Sequence, residues 1–129
     1  MTALGNTNRG VHNAVTQLVS AHLANSGLPA SPRPYVAPRA KLSDALAADL
    51  EHAHDGDVRG LDDLWIGVTA RQSFRPWDDL DRARVGADIT GRKLAAFVQW
   101  RAARRVGDAL VVMSLDDLAR LLGGDPPTR

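Results

Sequence analysis

The chain has 129 residues, 44% of them hydrophobic and 24% charged, which suits one domain around one modest core. Its 16 Lys and Arg stand against 15 Asp and Glu, a formal net charge of +1, so any DNA-binding surface has to come from local clustering rather than overall charge. The absence of cysteine excludes disulfides, thiolate metal sites and cysteine nucleophiles, and no apolar run approaches the roughly 20 residues of a membrane span.

Met1 to Asn8 is polar, without the apolar core of a signal peptide, so the expected location is the cytoplasm. The first periodic segment runs from Asn8 to Asn25. Val11, Val15, Leu18, Val19, His22 and Leu23 share one face of an amphipathic helix, with Thr7 or Asn8 as its cap and Gly27 as its end. Four prolines between Leu28 and Pro38 break any helix, and Tyr35-Val36-Ala37 among them reads as a short edge strand. A second helix is expected over Leu42 to Ala53, with Leu42, Ala45, Leu46 and Leu50 as its stripe.

His54-Asp55-Gly56-Asp57-Val58-Arg59-Gly60 is a glycine-punctuated turn that enters or contains a short strand. Leu64 to Ala70, rich in aromatic and β-branched residues, is the best strand in the sequence. Arg75-Pro76-Trp77 starts a helix with proline at its first position and Asp78 and Asp79 in its first turn. Trp77, Leu80, Ala83, Arg84 and Ala87 mark its inner side, and it ends near Gly91. Trp65 and Trp77 are expected in the core, and Asp78, Asp79 and Asp81 are expected to pair with Arg82 and Arg84 along the helix surface.

Leu94 to Arg101 fits two periods. Leu94, Ala96, Val98 and Trp100 share a face at period two, whereas Leu94, Phe97, Val98 and Arg101 share one at helical period. Ala109 to Met113 reads as a strand, and Ser114 caps a last helix, Leu115 to Leu122, closed by Gly123-Gly124. Residues 1–7 and 124–129 are expected to fray. The alternation predicts a single α/β domain over 1–129 with a mixed central sheet flanked by helices.

Several pieces then align with one family: Asn8-Arg9-Gly10 at the first helix, Asp55-Gly56-Asp57-Val58-Arg59-Gly60, the strand Leu64 to Ala70, and Leu110-Val111-Val112-Met113-Ser114-Leu115-Asp116-Asp117-Leu118. Their order resembles the PD-(D/E)XK nuclease superfamily, and within it the small Holliday-junction-resolvase-like proteins of actinobacterial phages. The resemblance implies a restriction-endonuclease-like core, a DNA partner (branched or duplex), the host cytoplasm, a role in phage recombination or replication, and a two-fold homodimer. It also implies Mg²⁺ or Mn²⁺, held by hard carboxylates and used to polarise phosphate and activate water.

Matched residue by residue, Asp57 stands at the family's aspartate. The glutamate and lysine expected ten and twelve residues later correspond to Gly67 and Thr69, and the glutamate of the first helix corresponds to Ala14. Asp57 is therefore the retained catalytic position. The resemblance implies the fold while removing most of the chemistry.

Other residues offer partial substitutes. Asp55, Asp57 and His54, with His52 nearby in sequence and His12 on the first helix, form a His/Asp set of the kind that holds Zn²⁺ or Mn²⁺; alternatively, Asp57 is a turn aspartate capping backbone N–H groups, and His52 and His54 decorate a helix end. Arg92, Lys93, Arg101, Arg104 and Arg105, with Gln99 and Trp100 among them, form a candidate phosphate-binding patch. Ser20, Ser26 and Ser114 lack a nucleophile's context, and there is no phosphate-binding glycine loop.

Four functions compete. The first is DNA binding by a catalytically degenerate resolvase-like domain. The second is an active metal-dependent endonuclease with a rearranged site. The third is a helix-turn-helix module spanning Trp77 to Arg105, and the fourth is a structural or host-interaction role without DNA.

Overall fold

We describe residues 3–33, 56–61 and 63–127 of a computed structural model of the chain. The expected strand at Tyr35 to Ala37 and helix at Leu42 to Ala53 lie outside the described residues, as do His52, His54 and Asp55. The first helix, α1, spans Ala3–Asn25. It starts upstream of Thr7 and Asn8, which sit inside it rather than capping it. A cap preference is worth about 1 kcal/mol and gives way where the preceding residues extend the helix. Gly27 closes it in the left-handed region, φ 96°, and Leu28 N–H donates to Leu23 O at 3.1 Å.

The buried stripe of α1 is rotated by about one residue from its expected place. Val15, Thr16, Val19 and Ser20 are buried and His12 and Leu23 half-buried, whereas Val11 and Leu18 are about half exposed and His22 is exposed. Thr16 and Ser20 are small enough to let the helix lie close against the strands, and the rotation turns His12 toward the sheet.

Five strands form one mixed sheet: β1 Ser31–Pro32, β2 Val58–Arg59, β3 Leu64–Thr69, β4 Leu94–Gln99 and β5 Leu110–Met113, in spatial order β1-β2-β3-β4-β5. β3 and β4 run parallel, and the other neighbouring pairs are antiparallel. The next helix among the described residues, α2 (Pro76–Thr90), makes the crossover from β3 to β4. Gly91, at φ 70°, ends it with its N–H on Ala87 O and Asp88 O. A single 3₁₀ turn, Val106–Asp108, precedes β5. The last helix, α3 (Leu115–Leu121), is capped as expected by Ser114, whose hydroxyl accepts from Asp117 N–H at 3.1 Å.

The two faces of the sheet carry different cores. Val58, Ile66, Val68 and Val98 meet Val15 and Val19 of α1. On the other face, Trp65 packs with Ala95 and with Ala83 and Ala87 of α2. This is the alternation expected of strands covered on both sides. It also resolves Leu94 to Arg101. All six residues of β4 are buried, so an apolar side chain suits every position and no single period stands out. With a central strand there, the helix-turn-helix alternative loses its recognition helix.

Two further expectations are corrected. Trp77 is 76% exposed rather than in the core, because Asp79, Ala83, Gly86 and Ala87 form the buried face of α2. The acidic and basic residues of α2 do not pair along its surface where partners are seen. Arg84 reaches Asp117 of α3 at 2.6 Å, and Asp79 pairs with Arg71 from the connection before α2. Among the described residues, no helix is long and apolar enough to cross a membrane.

Candidate functional site

The site lies where the β2–β3 pairing stops. Gly56, at φ 76°, turns the chain into β2, and a Cβ there would sit 2.9 Å from Ile66 O, so a side chain would be strained and obstructed. Asp57 follows, its N–H on Ile66 O at 2.8 Å. β2 ends its pairing with β3 at Val58–Ile66, so the next edge group of β3, Val68 N–H, needs an acceptor. Asp57 supplies it: Oδ2 accepts from Val68 N–H at 2.7 Å. Of the sequence alternatives for Asp57, the backbone-capping aspartate describes this contact.

His12 completes the edge from the other side. Its Nε2–H donates to Val68 O at 2.9 Å and lies 3.5 Å from Asp57 Oδ2. Arg33 arrives through strand pairing. Its N–H donates to Asp57 O at 2.8 Å, extending the β1–β2 ladder, and its guanidinium stands 3.6 Å from Asp57 Oδ1. The carboxylate is 13% exposed and faces two cationic groups and a backbone N–H.

These contacts set the titration of the pair. The close approach of Asp57 raises the His12 pKa above its usual value, more strongly than burial lowers it. Burial pushes the Asp57 carboxyl upward, but His12, the Val68 N–H and Arg33 together outweigh it and leave the pKa below the usual carboxylate value.

Asp57, Gly67 and Thr69 line one cleft of about 550 Å³, together with His12, Arg33, Trp65, Arg71, Asp79 and Arg82. A Cβ built at Gly67 would lie 3.9 Å from Asp57 Oδ2 but 3.1 Å from the indole of Trp65. Position 67 thus lies beside Asp57, and the space its side chain would use is taken by Trp65. Gly86 of α2 leaves room for the same ring, since a Cβ there would fall 2.4 Å from it. Ala14 is exposed on α1 and is absent from the cleft lining; among the described side chains of α1, His12 reaches Asp57.

A divalent cation does not fit this donor set. Mg²⁺ or Mn²⁺ is bound through several hard oxygens. Here Asp57 is committed to Val68, His12 and Arg33, Asp79 is paired with Arg71, and Gly67 offers no ligand. The proposed partners of Asp57 in a His/Asp metal set, His54 and Asp55, lie outside the described residues. Among the described residues, no three His, Cys, Asp or Glu side chains come together. The cleft has more cationic than anionic side chains, which suits a phosphate better than a metal.

The basic patch divides. Arg92 and Lys93 precede β4, with Arg92 Nη1–H on Leu64 O at 3.4 Å. Arg101, Arg104 and Arg105 follow it and are exposed. Six strand residues separate the groups by about 20 Å. Arg101, directly after β4, sits at the carboxyl ends of parallel β3 and β4, where its Nη2–H donates to Gln72 O at 3.3 Å, whereas the Arg105 guanidinium lies toward Gly107 and His22 of α1. Sequence reasoning missed Arg33, because a two-residue strand in a proline-rich stretch carries no periodic signal, and Arg71, because it lies in the connection after β3 where no periodicity marks it. Comparison of the chain with protein-family models, characterised proteins and solved structures gives no match.

Proposed function

We propose that this chain binds DNA through a resolvase-like nuclease core whose metal site has been lost, as a degenerate member of the PD-(D/E)XK class acting in phage DNA recombination or replication. The observation that carries the reading is the convergence of Asp57, Gly67 and Thr69 on one cleft. A spacing taken from sequence alone thereby acquires a common location. The element order agrees with the resemblance: a long helix, a Gly-Asp-hydrophobic step, a strand, an alanine-bearing helix and two strands. Arg33, Arg71 and Arg82 in the cleft, with Arg101 beyond the carboxyl end of β4 and Arg104 and Arg105 exposed on the connection that follows, supply the charge a phosphate backbone needs. In open α/β sheets, ligands bind beyond the carboxyl ends of the parallel strands.

A synthetic four-way junction, incubated with the protein with and without Mg²⁺ or Mn²⁺, tests the reading. Binding that needs no metal, with the strands left intact, is expected. Metal-dependent nicking that disappears in Asp57→Ala would establish the active-endonuclease alternative. Failure to bind any DNA at low salt would favour a role without DNA.

A further inference from the structure

We propose that the rim beyond β3 and β4 carries a stacking platform for unpaired bases, formed by Phe74 and Trp77, so that the preferred ligand is DNA with single-stranded character. The inference rests on the DNA-binding reading and refines its substrate class. Trp77 is 76% exposed and Phe74 49%. An aromatic ring left in water is a large apolar face without a partner.

These rings stand on a braced segment. The buried Gln99 at the end of β4 donates from Nε2 to Arg71 O at 2.7 Å and Ser73 O at 3.1 Å. Arg101 holds Gln72 O, and Pro76 fixes the first position of α2. A platform ordered before binding loses less entropy on binding.

The surroundings select the ligand. Apart from Pro76, the rings are interleaved with polar and charged residues, Gln72, Ser73, Arg75 and Asp78. Arg75 is exposed beside them, and Arg101, Arg104 and Arg105 are exposed on the neighbouring connection. Asp78 and Asp81 are exposed on α2, Asp81 one turn from Trp77 on the same face, so phosphate is disfavoured further along that helix. The sugar-phosphate backbone is thereby kept toward Arg75 and Arg101, with its bases toward Trp77. Bases within a duplex have no free face to offer; an unpaired base stacks on an aromatic ring with little regard to sequence.

The test is fluorescence anisotropy with a single-stranded oligothymidine of roughly 15 nucleotides and a duplex of equal length, each titrated with salt. Wild type should prefer the single strand. Trp77→Ala and Trp77→Leu should each weaken single-strand binding by roughly 5- to 150-fold, leaving duplex affinity and the salt slope unchanged. Arg101→Ala should lower the salt slope by about one on both ligands.

Single-strand affinity unchanged in Trp77→Ala, or retained in Trp77→Leu, would overturn the platform while leaving DNA binding intact. Equal losses on both ligands would overturn it as well. If wild type binds neither DNA, the platform and the reading beneath it both fall.

Discussion

His12 and Asp57 titrate against each other, and their surroundings give the sign of each contribution to stability. The His12 pKa is raised from 6.5, so its contribution is complete below that value and is lost as pH rises through the raised pKa. The Asp57 pKa is lowered from 3.8, so its contribution is complete above that value and is lost as pH falls through the lowered pKa. The pair therefore stabilises the fold most between the two reference values. His12→Gln should unfold at lower urea than wild type near pH 5.5, with the gap narrowing by about pH 9; an equal gap at both would show that His12 does not titrate against Asp57. The Trp65 indole gives a second residue-scale prediction. Gly86→Ala should cost about 1–3 kcal/mol through overpacking, because its Cβ would lie 2.4 Å from the ring. Gly67→Ala should cost less, since 3.1 Å asks for a smaller adjustment. Denaturant midpoints rank the two, and a reversed order would mean that the ring is not held where Gly86 admits it.

At the scale of elements, α3 is tied to the sheet by one carboxylate. Asp117 is fully buried; Oδ2 accepts from Arg84 at 2.6 Å and from Ala95 N–H at 3.1 Å, and Oδ1 accepts from Arg120 at 2.8 Å. Removing it leaves Arg84 and Arg120, both more than a third exposed, without their counter-charge and the buried Ala95 N–H without its acceptor. Asp117→Ala should cost about 1–3 kcal/mol, and Asp117→Leu combined with Arg84→Met should recover part of that loss. A loss below about 1 kcal/mol in the single variant would mean that the pair is solvated. The sequence made several elements legible for local reasons. Pro76 and Gly91 bracket α2, Ser114 caps α3, and β-branched residues mark β3. It left β4 open, because burial on both faces erases the period, and it misplaced the stripe of α1, because Thr16 and Ser20 do not look apolar. Trp77 misled because a large aromatic residue on a helix is ordinarily core.

For the molecule as a whole, the site was partly legible. The resemblance drawn from the sequence pointed to Asp57, Gly67 and Thr69, and all three line one cleft. The same sequence gave no sign that Arg33 would lie beside Asp57, because that contact depends on β1 pairing with β2 across a long stretch of chain. Nor could it show that β4 separates Arg92 and Lys93 from Arg101, Arg104 and Arg105. This division yields a prediction about binding. Arg101→Ala and Arg104→Ala should each flatten the salt dependence by about one phosphate contact, whereas Lys93→Ala, at the far end of the strand, should leave it unchanged. Equal effects at both ends would place DNA across the whole sheet.

The proposed metal-free binding of DNA at the cleft and its carboxyl edge can be measured by titrating the wild-type protein with a four-way junction in the presence of a chelator, at several salt concentrations. Saturable binding is expected, with an affinity that falls log-linearly with salt, by about 0.9 in slope for each duplex phosphate contacted. Binding that appears only after Mg²⁺ or Mn²⁺ is added would contradict it.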